Sequence, residues 1–193
     1  MKNDIVLSGV GGQGILTIAS VIGLSAIENN IYLKQAEVHG MSQRGGDVQS
    51  HLRLSDKPVF SDLIPLGTAD LIISVEPMES LRYLPWLSKT GWLITSSEPF
   101  LNITDYPDVE DIIQQVRKIK NHVLIDADNI AHEAGSSKAG NIVILGAASP
   151  FLSLPFGSLE RAVRKFFSKK GEEIVETNIK ALNEGRKFTN NRR

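Results

Sequence analysis

Residues 5 to 27 carry no charged side chain, and apolar positions are spaced unevenly along that run. Ile5-Val6-Leu7 is a short continuous apolar stretch, which predicts a strand buried on both faces. Ile15, Ile18, Ala19 and Ile22 then recur at helical spacing, which predicts a helix starting near Gly12. Ile31 to Leu33 follows the turn signal Asn29-Asn30 and predicts a second strand. Strand, helix and strand within about 30 residues form one βαβ unit, whose right-handed crossover predicts a parallel pair. The alternation returns later. Ala69 to Val75 predicts a strand, and Pro77 to Leu87 a helix that Pro85 ends or kinks. Trp92 to Ile94 predicts a strand, Val109 to Ile119 a helix, and His122 to Ile125 a strand.

Two regions depart from this rhythm. Asp47 to Leu54 alternates apolar and polar residues in the strand manner. Asp56-Lys57-Pro58 reads as a turn, so Val59-Phe60 is expected to pair back as a hairpin. Residues 38–67 are therefore an excursion from the core. Toward the C-terminus, Leu159, Ala162, Val163 and Phe166 form one helical stripe, and Ile174, Val175, Ile179 and Leu182 form another after Gly171. Residues 186–193 hold four basic side chains and no acid, and are expected to be a loose tail. The expected fold class is α/β: one Rossmann-like domain over residues 1–185, with an open, mostly parallel sheet, a β-hairpin excursion and C-terminal helices.

Composition narrows the chemistry. The 21 basic and 22 acidic side chains give a net charge of -1, which argues against a nucleic-acid partner. The chain has no cysteine, which excludes disulfides, catalytic thiols and any iron–sulfur cluster held by its own thiolates. The uncharged run 5 to 27 is long enough to span a bilayer, but Gly9, Gly11, Gly12 and Gly14 would break a membrane helix. No signal peptide fits either, so the expected location is cytoplasmic, away from the membrane.

Two segments carry candidate chemistry. Gly9, Gly11, Gly12, Gln13 and Gly14 lie in a G-x-G-x-x-G turn that follows a strand and opens a helix. Glycines there allow a sharp turn and a close ligand approach, and helix N–H groups favour an anion. The reading beside it is that the glycines merely permit tight strand–helix packing. An acidic residue for a dinucleotide ribose belongs at the end of the second strand, about 20 residues on. Tyr32, Leu33 and Lys34 occupy that place. No Lys-Ser/Thr follows the turn, which excludes a nucleotide-hydrolysing P-loop. The second segment comprises Glu37, His39, Gly40, Met41, Ser42, Gln43, Arg44, Gly45 and Gly46. Its carboxylate, imidazole, hydroxyl, amide and guanidinium suit binding or subunit contact better than catalysis. Arg44 can grip a carboxylate or phosphate at two points. Glu37 and Arg44 can equally pair with each other and stiffen the loop. No metal site is expected.

SGVGGQG followed by AEVHGMSQRGGDVQSHLRL resembles the gamma-type subunit of 2-oxoacid:ferredoxin oxidoreductases. Leu63-Ile64-Pro65, the stretch from Glu76 to Pro85 (EPMESLRYLP) and Asn141 to Ala147 extend the likeness to roughly residues 5–185. The EPMESLRYLP segment is most similar to the indolepyruvate type. The resemblance implies CoA-dependent oxidative decarboxylation of an aryl 2-oxoacid to an acyl-CoA and carbon dioxide, with ferredoxin reduced. It implies thiamine diphosphate and iron–sulfur clusters on a large alpha subunit. It further implies that this chain binds no cofactor tightly, is inactive alone, and docks on that subunit near the coenzyme A approach. The glycine turn and the segment 37–46 are then candidates for coenzyme A phosphate binding or for the subunit interface. A pyruvate- or 2-oxoglutarate-type gamma subunit, a free-standing NAD-dependent oxidoreductase and a non-catalytic interaction module stay open as alternatives.

Overall fold

The computed structural model describes residues 1–39, 45–101 and 103–192, the His39 side chain excepted. Within these residues six strands form one sheet: β1 (Lys2–Val10), β2 (Tyr32–His39), β3 (Asp47–Ser55), β4 (Ala69–Ser74), β5 (Leu87–Ser96) and β6 (His122–Ile125). Their spatial order is β2-β3-β1-β4-β5-β6. β1, β4, β5 and β6 pair in parallel, while β3 runs antiparallel to both of its neighbours. Among the described residues, seven α-helices occur in chain order: α1 (Ile15–Glu28), α2 (Pro77–Arg82), α3 (Val109–Arg117), α4 (Ala127–Ala134), α5 (Gly140–Ala148), α6 (Phe156–Phe167) and α7 (Glu172–Asn190).

The continuous apolar runs of β1 and β4 follow from burial on both faces. Ile5, Leu7, Leu71 and Ile73 pack with α1, α5 and α6. Val6 and Ile72, one residue out of phase, pack with Tyr83, Leu93 and Val116 on the other side. Alternation along each strand thus feeds two cores rather than one core and solvent.

The pairing of β2 corrects the expected βαβ contact. β1 and β2 point the same way but do not touch, because β3 lies between them. The hairpin is also different from the one expected. β3 pairs with β2 on one edge and β1 on the other, so neither edge is left for Val59-Phe60. Phe60 is 93% exposed. Arg53 holds the segment after β3 instead, donating to the Ser61 and Leu63 carbonyls at 3.2 and 3.1 Å. The same guanidinium grips buried Asp4 at 2.9 and 3.2 Å, a two-point pair that fixes its direction.

The helices hold two further differences. Residues 140–148, given no element by the sequence pattern, form α5. Seven of its nine residues, Ile142 to Ala148, are buried, so it shows no polar face from which a helical period could be read. The basic stretch 186–193, expected to be a loose tail, continues α7 to Asn190. Thr189 is buried and its Oγ1 donates to the Ala147 carbonyl at 2.9 Å. Arg186 and Arg192 lie over the Phe156 and Phe188 rings at 4.2 and 3.9 Å. Cations near a helix C-terminus also complement its dipole.

α5 and α7 approach backbone to backbone at two glycines. A Cβ on Gly146 would strike the Leu182 carbonyl, and one on Gly185 would strike the Val143 carbonyl. Gly185→Ala therefore forces the helices apart, and a loss of about 1–3 kcal/mol in stability is expected from such overpacking. Urea unfolding followed by circular dichroism measures it; an unchanged midpoint would show that the crossing can give way.

Candidate functional site

β1 ends at Val10, and the chain turns at once. The Gln13 amide donates to the Val10 carbonyl at 3.1 Å. The Gln13 side chain completes the turn, its Oε1 accepting from the Val10 amide at 2.8 Å. Gly12 and Gly14 have φ of 104° and 81°, values that L side chains rarely adopt. Gly14 is also confined: a Cβ there would collide with the Asn141 side chain, whose Nδ2 donates to the Gly14 carbonyl at 3.0 Å. Nothing lies within 4 Å of a Cβ built on Gly12, so that side of the turn is open.

Gly14 caps α1 without a side chain. The N–H groups of Ile15 and Leu16, in the first turn, therefore have no intrahelical acceptor. One hollow of about 350 Å³ lies over Gly11, Gly12, Gly14, Leu16 and Val48. A second, of about 520 Å³, is bounded by Gly11, Gly12, Gln13, Ser96, Lys138 and Asn141. Both sit by the carboxyl end of β1. There the chain leaves β1 toward β2 on one side and leaves β4 toward β5 on the other. Open α/β sheets bind ligands at such reversals.

The structure brings part of the second candidate segment to this turn. The Gly11 amide donates to the Gly46 carbonyl at 2.8 Å, and the Gly45 amide donates to the Gly11 carbonyl at 3.4 Å. Gly9 lies in β1 paired with Val48. Glu37 stands on β2, opposite Ser50, where its Oε1 accepts from the Gln35 side chain. Gly40, Met41, Ser42, Gln43 and Arg44 lie outside the described residues, as does the His39 side chain. Among the described residues, no group of three His, Cys, Asp or Glu side chains is placed to hold a metal ion.

A cluster built largely from the Glu76 to Pro85 stretch, quoted above for its family likeness and not as a site, borders the same segment. Tyr83 is buried and donates to both carboxylate oxygens of Asp47, at 2.9 and 2.7 Å. Asp47 is the residue next to Gly46, so this bond ties down the described stretch Gly45 to Asp47. Glu76 is fully buried as the N-cap of α2, accepting from the Glu79 amide at 2.7 Å and from the Tyr106 hydroxyl. Arg82 grips Glu79 at 2.7 and 3.3 Å. Burial pushes the Glu79 carboxyl above its ordinary value; Arg82 opposes this, and neighbouring Asp47 adds to it. The Tyr83 and Tyr106 hydroxyls are pushed up by burial and then by their carboxylate partners, Asp47 and Glu76 respectively. The usable sequence signal was Glu76-Pro77-x-Glu79: an acceptor at the N-cap, Pro at the first helical position and an acid at the third, as in a capping box.

A raised carboxyl favours the folded state below its ordinary pKa of 4.5 and loses that advantage as pH rises through the folded value. Glu79→Gln removes this dependence. The stability of the variant relative to the parent is expected to improve as pH goes from below 4.5 to neutrality, read by urea titration at several pH values. A difference that is flat with pH would show that Arg82 fully compensates the burial.

The chain matches the family described as pyruvate ferredoxin/flavodoxin oxidoreductase over residues 4–188. It is 39% identical to the indolepyruvate oxidoreductase subunit IorB of Archaeoglobus fulgidus, covering 96% of this chain and 94% of that one. The subunit of the same name from Pyrococcus horikoshii is 36% identical over 94% of this chain and 93% of its own length. The pyruvate/ketoisovalerate oxidoreductases common subunit gamma of Pyrococcus abyssi is 28% identical, with 94% of each chain covered. In fold, the keto/oxoacid ferredoxin oxidoreductase gamma subunit from Geobacter sulfurreducens superposes with a TM-score of 0.74 at 24% identity, covering 98% of this chain and 99% of that one. The 2-oxoglutarate:ferredoxin oxidoreductase of Magnetococcus marinus superposes with a TM-score of 0.77 at 19% identity, over 98% of this chain but 31% of that longer one. A family match over residues 4–188, nearly the whole chain, places it in the pyruvate ferredoxin/flavodoxin oxidoreductase family.

Proposed function

We propose that this chain is the smaller subunit of an indolepyruvate-type 2-oxoacid:ferredoxin oxidoreductase. The complex would convert an aryl 2-oxoacid and coenzyme A to an acyl-CoA and carbon dioxide, passing electrons to ferredoxin. One observation carries the reading: two relatives named as indolepyruvate oxidoreductase subunits are 39% and 36% identical end to end, against 28% for the pyruvate/ketoisovalerate type. Iron–sulfur clusters need thiolates, and this chain has none, so the clusters belong on a partner. Thiamine diphosphate is assigned to that large partner as well, where it supplies the carbanion chemistry.

Within this reading, the glycine turn and residues 37–46 face the large subunit or the phosphates of coenzyme A. The open side of Gly12, the N–H groups of Ile15 and Leu16, and Lys138 at the neighbouring hollow support an anionic ligand there. The topology speaks against the NAD-dependent alternative. A ribose-binding acid belongs on the strand next to β1, but β3 occupies that place and sets β2 about 10 Å from β1. No helix among the described residues is long and apolar enough to cross a membrane.

Co-expression with the candidate large subunit tests the proposal. The pair is expected to co-purify and to reduce ferredoxin with indolepyruvate and coenzyme A, while this chain alone is inactive. Preference for pyruvate or 2-oxoglutarate would move it to another type of the same family. Glu37→Ala and Arg44→Ala are expected to lower assembly or turnover several-fold while barely moving the melting temperature of the chain. Unchanged assembly and turnover in both variants would remove the segment from the site.

A further inference from the structure

At the far edge of the sheet, β6 has a neighbour on one side only. The Leu93 amide donates to the Asn121 carbonyl at 3.0 Å, and the Ser97 amide donates to the Ile125 carbonyl at 2.9 Å. These bonds set the strand's period. Asn121, Val123 and Ile125 turn their main chain toward β5, and His122 and Leu124 turn theirs outward. Among the described residues, the main-chain N–H and C=O groups of His122 and Leu124 meet no partner. Unpaired edge groups are a template for another strand.

That edge opens into a cleft of about 790 Å³. Arg117 and Lys120, at and just past the end of α3, form one wall, and Phe188, in the last turn of α7, and Arg192, just past its end, form the other. Arg117 touches Glu110 at 3.4 Å, but both side chains are more than half exposed, so the pair is weak and leaves the cation available. The one acid among the described residues of the lining, Asp126, already accepts from the Asn129 amide at 2.9 Å as the N-cap of α4. The cleft is therefore basic, in a chain whose overall charge is near zero.

We propose that this edge is a docking site for an extended, carboxylate-bearing segment of the large subunit, which adds to β6 as a seventh strand. Two features select this occupant. The free donors and acceptors recur every second residue, about 6.6 Å apart, which an extended chain matches and a compact ligand does not. The walls supply positive charge for the segment's carboxylates. The same fold also forms 31% of a longer chain in the Magnetococcus marinus protein, so it is compatible with additional polypeptide. The proposal rests on the subunit reading above.

Hydrogen exchange on the full-length chain, alone and bound to the large subunit, tests it. The amides of His122 and Leu124 are expected to exchange rapidly in the free chain and to slow at least about tenfold in the complex. The double variant Arg117→Glu, Lys120→Glu should weaken assembly by about tenfold or more at low salt and flatten its salt dependence. Both positions are on the surface, and a circular dichroism melt confirms that the variant is folded. Normal assembly with no added protection at residues 122 and 124 would overturn the docking site and leave the subunit reading standing. Protection that grows with the concentration of this chain alone would put a second copy at the edge, and would also overturn it. Failure of the parent chain to assemble at all would remove the subunit reading and this proposal together.

Discussion

β3 uses both of its edges, and most of the site depends on that. It pairs with β1 from Lys2↔Ser55 to Val10↔Asp47 and with β2 from Tyr32↔Ser55 to His39↔Val48. A strand has two rows of main-chain donors and acceptors, so the hairpin partner and the central strand exhaust what β3 can bond. The Val10↔Asp47 register then delivers Gly45 and Gly46 to the glycine turn, where Gly11 bonds both of them. Two segments separated by some 30 residues in sequence become one surface because a single antiparallel strand joins them.

The same insertion changes what the turn can do. In a dinucleotide-binding fold the turn and the ribose-binding acid sit on adjacent parallel strands. Here an antiparallel strand stands between them. The glycines keep their conformational purpose, visible in the left-handed Gly12 and Gly14, without the second half of a dinucleotide site. Beside Gly46, Tyr83 of the opposite core holds half-buried Asp47, and buried Glu76 holds the start of α2. Burying those carboxylates is costly, and their hydrogen bonds offset the cost.

Legibility in the sequence followed the range of the responsible interactions. α1, α6 and the start of α2 were readable because their signals are local: spaced apolar residues, a glycine at the cap, a proline at the first helical position. The glycine turn was readable for the same reason. The Glu76–Glu79 spacing was visible, but its bond to Tyr106 and the neighbouring Tyr83–Asp47 contact join residues 30 and 36 positions apart. α5 gives no local signal, because a helix buried along nearly its whole length has no amphipathic period.

The sequence by itself determined the α/β class, the glycine turn and the absence of thiolates, so that no iron–sulfur cluster can be held by this chain's own cysteines. These rest on composition and on contacts within a few residues. Tertiary structure alone decided the neighbours of β3, the helical fate of residues 186–190 and the meeting of the turn with Gly45 and Gly46. Strand pairing and helix docking are settled by whichever distant surfaces satisfy main-chain hydrogen bonds and bury apolar area together, and a local pattern does not name them.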